Sequence, residues 1–579
     1  MQFTMKLLSL LTVLSLIPLC QLLAQQIPPG GADIRGETPL AASASAAAGK
    51  AENLQPGRRI TITKPDAAKA YAAQFTAPLT SGIAKGEHVL AIIKARIVGG
   101  TDTGEVLAKL QLNAAPYTSF GSTVGVAIFR EWTEQPVLFT ADAPVPEGKA
   151  AVVLLCGQKE QSLEVESIRV LRYPAGTDVR SFPKARLIKR TYEGREPDAP
   201  WRKAALERIE QHRKADLSMI VKDEVGQPMA NAEVKLSLRR HAFGFGSAVV
   251  ARRLSGESED DRHYREIIDR FFSIVVFEND LKDGNWAPDF DEKRKAKRNT
   301  ELNQAFVWLS QHHISVRGHY LMQVATPFNL HDVKDSDVIR DRTLASVKER
   351  LAFVKDRVVE WDVINHPIAW NGADMLNKRP GLEHLDREVF TLARSLTKLP
   401  FFVNEDQVFR PGPQHDDTLA YIEALNKAGL TVAGLGNQAH FHESYLPSPE
   451  HLLKVTDEFA QVVPHQSITE YDIVTTEDEE LAADYTRDVL IAVFSHPAYT
   501  SFLLWGFWEG SHWKPEAASW SKDWSIRPRG EVLEEWISRK WHTEVTLKTD
   551  AKGKVAWRGF PGWYEVTAKG QKPALLQPQ

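Results

Sequence analysis

Cysteine is nearly absent: Cys20 and Cys156 are the two in 579 residues. Cys20 lies in a segment expected to be removed, so a single thiol remains and an internal disulfide is excluded. Basic excess is also missing. Lys and Arg number 71 against 75 Asp and Glu, a net charge of −4, which argues against nucleic acid or an anionic membrane surface as partner. Neither an HExxH motif nor paired cysteines at zinc-site spacing occur, so no metal and no cofactor is expected. The longest apolar run, residues 7–19, is short for a membrane span.

That run follows Lys6 and ends near Leu22-Leu23-Ala24, a signal-peptidase-like site. Residues 1–24 are therefore read as a cleaved signal peptide, with a membrane anchor as the alternative. Lipid attachment at Cys20 is disfavoured, because bulky Leu19 precedes it. The mature protein is expected to be secreted, periplasmic or at the cell surface, monomeric, and without an integral membrane segment. Residues 25–55, rich in Ala, Gly, Pro and Ser, read as a flexible leader.

From 56 to 175, short alternating apolar runs are separated by turn signals, the pattern of an all-β sandwich. Residues 176–215 are polar and charged, with a helix opening at Pro200. Residues 216–240 read as a small β-hairpin unit. From 241 to 540, strand and helix periods alternate. Strands are predicted at 243–250, 273–277, 314–320, 358–364, 401–404, 432–438, 467–471 and 502–506. Eight such units over about 300 residues fit a closed (β/α)8 barrel. A doubly wound open sheet is the alternative, lowered because no Gly-rich phosphate loop follows the first strand. Residues 541–579 read as a C-terminal β tail of two further strands. The fold class is thus a multi-domain chain, a β-sandwich (jelly roll) followed by a (β/α)8 barrel with small β additions at both of its ends.

The predicted strand ends carry a consistent chemistry. Strand two delivers Glu278, Asn279 and Lys282; strand three, Arg317-Gly318-His319; strand four, Asn365-His366; strand five, Asn404-Glu405-Asp406; strand six, Gln438-Ala439-His440. Strand seven ends in Thr469-Glu470-Tyr471-Asp472, and strand eight in Trp505-Gly506-Phe507-Trp508-Glu509, with Trp513 beyond. Amides and charges bond hydroxyls, and indole faces stack on sugar C–H groups, so such a mouth suits a carbohydrate.

The order of these segments over roughly 216–566 resembles glycoside hydrolase family 10, the retaining endo-β-1,4-xylanases. The resemblance implies that Glu470 is the nucleophile, and that His440 and Asp472 orient and polarise it. It further implies that Glu278, Asn279, Lys282, His319, Asn365 and Gln438 bind sugar hydroxyls, and that Trp505 and Trp513 enclose the sugar at the cleavage point. It implies a xylan-like polysaccharide as substrate. The N-terminal region resembles a carbohydrate-binding module through Lys85-Gly86-Glu87, Trp132 and the strand 165–170; a sandwich that only packs against its neighbour is the alternative.

Two positions depart from the family pattern. Its acid/base glutamate, in Trp-Asp-x-x-Asn-Glu, is His366 in Trp361-Asp362-Val363-Ile364-Asn365-His366, and a family tryptophan is Gln323. Retaining hydrolysis needs a proton donor about 5 Å from the nucleophile, worth roughly 10²–10⁴ in rate. Three outcomes stay open: His366 donates, Glu405 serves instead, or hydrolysis is lost and a polysaccharide-binding barrel remains. Structural readings stand beside these: Glu470 as an ion-pair partner, Glu278, Asn279 and Lys282 as loop caps, His366 as a packing residue. Trp508, Trp520 and Trp524 are expected to pack rather than bind.

Overall fold

The computed structural model describes residues 27–100, 103–179, 182–185, 190–286, 291–368, 373–475 and 478–578. The expected signal segment lies outside these residues. No helix among the described residues is long and apolar enough to cross a membrane. The chain divides into two compact units, residues 1–189 and 190–579.

The first unit is a β-sandwich of two antiparallel sheets. One orders the strands Gly49–Asn53, Arg58–Ile62, Gln161–Tyr173, His88–Gly100 and Thr133–Thr140, with Ala32–Asp33 pairing onto Gln161–Tyr173. The other orders Ala41–Ala44, Ala73–Pro78, Ala150–Leu155, Gly104–Leu112 and Val124–Ile128. Period-two alternation drives this arrangement: Ala73, Phe75 and Ala77 face the core, while Gln74, Thr76 and Pro78 do not. The inner faces meet in a core that includes Ile60, Phe75, Val89, Val152 and Leu163.

The flexible leader expected over 25–55 is corrected here. Ala41–Ala44 pairs with Ala73–Pro78, and Gly49–Asn53 pairs with Arg58–Ile62. Small residues made this segment look like a linker, but they satisfy their backbone groups at the sheet edges. Gly86 turns the chain with φ of 86° just before His88–Gly100. Trp132 is 37% exposed, and the Arg96 guanidinium lies 4.7 Å from its ring centre.

In the second unit, eight parallel strands close a barrel, as expected. They are β1 (Gly244–Val249), β2 (Ile274–Phe277), β3 (Ser315–Gln323), β4 (Glu360–Asn365), β5 (Phe401–Glu405), β6 (Gly434–Asn437), β7 (His465–Val474) and β8 (Tyr499–Leu504). Each pairs with the next, and β8 pairs back to β1 at Gly244↔Ser501. The helices lie on the outside; Glu479–Ser495 is buried all round over residues 488–495, and others bury a single stripe. The helix Glu259–Phe271 starts at a reciprocal Ser258/Asp261 cap and buries Tyr264, Ile268 and Phe271, spaced for one face.

The helix expected from Pro200 runs Pro200–His212 and packs onto Glu479–Ser495. Arg202 Nη2 donates to Asp488 Oδ2 at 2.6 Å, and the Tyr192 hydroxyl donates to the same oxygen at 2.8 Å. The hairpin expected over 216–240 is also corrected. Its two strands, Ala215–Ile220 and Glu233–His241, pair not with each other but with the C-terminal tail. Ala215–Ile220 joins Lys554–Gly559, and Glu233–His241 lies between Glu544–Lys548 and Gly562–Ala568. The tail supplies four strands where two were expected, the fourth being Ala574–Leu576.

Candidate active site at the barrel mouth

The C-terminal ends of β3, β4, β5 and β6 stand in register, with Gln323 opposite Asn365, Asn365 opposite Asn404, and Asn404 opposite Gly436. Three amides thus lie side by side. The glycine is required: a Cβ at Gly436 would lie 2.3 Å from Asn404 Oδ1. Register shifts fall at His319/Met322, Asp362/Ile364 and Ile468/Tyr471. Such irregularities re-aim side chains at barrel rims, and here they bracket residues of the site.

Glu470 sits at the floor, buried. Asn404 Nδ2 donates to its Oε1 at 2.8 Å, and His440 Nε2 lies 3.3 Å from its Oε2. Burial pushes this carboxyl up, but the His440 hydrogen bond and the charges of His319, His440 and Lys282 outweigh burial and hold it down at about 2. Two imidazole–carboxylate pairs flank it. Asp472 Oδ2 bonds His440 Nδ1 at 2.9 Å, and Asp362 Oδ2 bonds His319 Nδ1 at 2.9 Å. Burial lowers His440, yet Asp472 and Glu470 together raise it to about 10. Arg317 clamps Asp362 from behind through Nε at 3.2 Å, and His319 Nε2 lies 4.0 Å from Glu470 Oε1.

Glu278 is half-buried and Asn279 exposed at the end of β2. Burial pushes the Glu278 carboxyl up, with Lys282 pulling the other way. Burial pushes Lys282 down against the charges of Glu470 and Glu278. Lys282 Nζ lies 5.2 Å from the centre of the Trp505 ring, and His319 meets that ring edge-on at 5.1 Å. Trp505 is buried, whereas Trp513 is 50% exposed, donates Nε1–H to Asp472 at 2.8 Å and leans on His440 at 4.9 Å. Trp508 and Trp520 are buried, and Trp508 stacks on Trp524 at 4.4 Å.

His366 follows β4 in the left-handed backbone region, φ 48°, which costs a non-glycine residue about 1 kcal/mol or more. Glu405 holds that turn. Its Oε2 accepts from Ile368 N at 2.8 Å, and its Oε1 accepts from Asp406 N at 2.8 Å and lies 3.1 Å from His366 Nδ1. Glu405 is wholly buried beneath the imidazole. On the other side of the ring, Gln438 Nε2 lies 3.2 Å from His366 Nε2.

The structure therefore gathers Glu470, His440, Asp472, His319, Asn365, Gln438, His366 and Glu405 through hydrogen bonds or close ion pairs, with Lys282, Trp505 and Trp513 against them. Four participants escaped sequence reasoning. Asn404 and Thr469, whose hydroxyl donates to Asn404 Oδ1 at 2.7 Å, were visible only as strand-end polar residues. Asp362 and Arg317 lay inside quoted motifs without a role. Among the described residues, no cluster of His, Cys, Asp and Glu is arranged to hold a metal ion.

A parallel eight-stranded barrel whose C-terminal mouth centres on a buried carboxylate, ringed by amides and imidazoles with an indole at the rim, has the arrangement in which barrel enzymes carry their active sites. The family follows from comparison with known proteins: residues 234–528 match the model of Glycosyl hydrolase family 10, and the chain belongs to that family. It is similar to the anti-sigma-I factor RsgI6 of Acetivibrio thermocellus, 30% identical over 372 residues, covering 63% of this chain and 46% of that protein. It is also similar to endo-1,4-beta-xylanase 2 of Arabidopsis thaliana, 24% identical over 358 residues, covering 58% and 31%. The chain thus spans less than half the length of these two relatives. Among solved structures, xylanase 10B of Thermotoga petrophila with xylobiose matches at 19% identity and TM-score 0.45, covering 52% of this chain and 95% of that one. The Clostridium thermocellum xylanase 10B CBM22-1-GH10 modules match at 14% identity and TM-score 0.42, covering 88% and 98%.

Proposed function

We propose that this chain is an exported, monomeric retaining glycoside hydrolase acting on a β-1,4-linked, xylan-type polysaccharide, with Glu470 as nucleophile and His366 as the proton-transfer residue. The observation that carries the reading is the state of Glu470: a buried carboxylate held ionised by His440 and bonded by Asn404, as attack on an anomeric carbon requires. Several of its curated relatives are named xylanases, which favours xylan. Glu405, turned toward His366 and two backbone amides, orients the imidazole in this reading. The sandwich serves as a carbohydrate-binding module, with Trp132, Tyr71 and Tyr117 among its exposed rings.

A second reading, a barrel that binds polysaccharide without cleaving it, is favoured by one observation: the amide N–H of Gln438 points at His366 Nε2, where a donated proton would have to sit. The test is mass spectrometry and anomeric proton NMR of products from xylo-oligosaccharides and an aryl β-xylobioside, with Glu470→Gln as control. Cleavage with retained configuration, lost in the control, supports the enzyme. No cleavage of either substrate by the native protein overturns it in favour of the binder or another sugar.

A further inference from the structure

The amides around His366 form a chain whose polarity is set at both ends by groups that can only accept. At one end the Glu470 carboxylate takes Asn404 Nδ2 at 2.8 Å. The same NH2 donates to Asn365 Oδ1 at 2.9 Å, and the Thr469 hydroxyl donates to Asn404 Oδ1. At the other end the carbonyl of Ala325 takes Gln323 Nε2 at 3.1 Å, leaving Gln323 Oε1 to accept from Asn365 Nδ2 at 3.2 Å. Asn365 is thereby fixed twice, with its oxygen toward Gln438. Gln438 Nε2 donates to that oxygen at 3.2 Å, so its NH2, not its carbonyl, meets His366 Nε2. An NH2 has no lone pair to offer. Nε2 must accept, and the ring proton sits on Nδ1, which donates to Glu405.

We propose that Gln438 is a positioning residue that holds His366 as the neutral Nδ1–H tautomer, so that this chain carries a base where its family pattern has an acid. The two departures from that pattern belong to one network, since Gln323 anchors the amide chain that sets His366. A base here serves the second half of a double displacement. Once Gln438 draws its NH2 back from Nε2, Nε2 takes a proton from water as the new C1–O bond forms, the bond from C1 to Glu470 breaks, and its electron pair returns to the carboxylate. In the first half, Glu470 bonds C1 and the leaving group departs with its pair, unprotonated. With Gln438 unmoved, this first half is limited to a β-glycoside of an acidic alcohol such as a phenol. Cleavage of an alkyl or sugar linkage needs Gln438 to turn its carbonyl to Nε2 and lose its bond to Asn365.

The consequence for substrate rests on the hydrolase reading above; the tautomer does not, and it is read without turnover. The full-length protein would be labelled with ¹⁵N-histidine and its ring signals recorded near neutral pH, with His366 assigned by its loss in His366→Gln. The expected result is an unprotonated Nε2 and a protonated Nδ1. In Gln438→Glu, whose carboxylate accepts, Nε2 should become protonated. In Asn365→Asp, which keeps an acceptor for Gln438, it should not. Selectivity for aryl over unactivated xylo-oligosaccharides should fall at least tenfold in Gln438→Glu. A protonated Nε2 in the native protein overturns the proposal, as does an unchanged ring in a folded Gln438→Glu. No cleavage of any glycoside alongside the expected tautomer overturns the hydrolase reading and leaves the positioning role standing.

Discussion

Replacing Glu470 by glutamine should cost stability in a way that depends on acid. The carboxyl falls from the ordinary 4.5 to about 2 in the folded protein. Each unit of pKa is worth about 1.4 kcal/mol, so the site favours the ionised form by on the order of 3 kcal/mol. A depressed carboxyl contributes stability that is fully present above its unfolded value and is lost as pH falls toward its folded value. The window here is therefore about pH 4.5 down to about pH 2. Glutamine is isosteric with the protonated acid, so the variant should be less stable by about 3 kcal/mol at neutral pH. By about pH 3, roughly 2 kcal/mol of that gap should have closed. Asp472 and the other carboxyls titrate in both proteins and largely cancel in the difference. Every tryptophan except Trp132 lies after residue 189, so urea unfolding followed by tryptophan fluorescence reports the barrel unit. A gap that stays constant from neutral pH to about pH 3, or a variant more stable than the parent, would refute the electrostatic account of Glu470.

Two further substitutions test other parts of the mouth. Trp513→Ala removes a half-exposed ring and should weaken xylo-oligosaccharide binding about fivefold to tenfold, as loss of about 1 kcal/mol of aromatic contact implies; Trp513→Phe, which keeps a ring without the N–H to Asp472, should recover most of it in isothermal titration. Gly436→Ala places a methyl against Asn404 Oδ1 and should lower stability by about 1–3 kcal/mol and cut kcat by displacing Asn404 from Glu470. Unchanged melting and turnover would show that the amide layer has slack the packing denies.

Much of this barrel is legible because its signals are local. β1 to β8 each carry an apolar run bounded by a helix period, and a strand buried on both faces needs no distant residue to betray it. The site residues are legible for a related reason: parallel strands deliver their C-terminal ends to one mouth, so Glu278, His319, Asn365, Gln438 and Glu470 converge once the barrel is assumed. The edge strands between residues 32 and 53 were missed because Ala, Gly and Ser give no periodicity. The pairing of Ala215–Ile220 with Lys554–Gly559 was missed because no local pattern encodes a partner more than 300 residues away.

By itself, then, the sequence determined the barrel, the sandwich, the family and the acid carried by β7, since these follow from residue periods and from motifs a few residues long. Tertiary structure alone decided that Glu405 lies under His366 rather than beside Glu470. It also decided that Gln323 and Gln438 are joined through Asn365, and that an amide hydrogen occupies the place of the missing acid's proton. Those facts depend on which way each amide faces. That direction is set by hydrogen bonds between neighbouring strands, where donors and acceptors must match across contacts that no single segment contains.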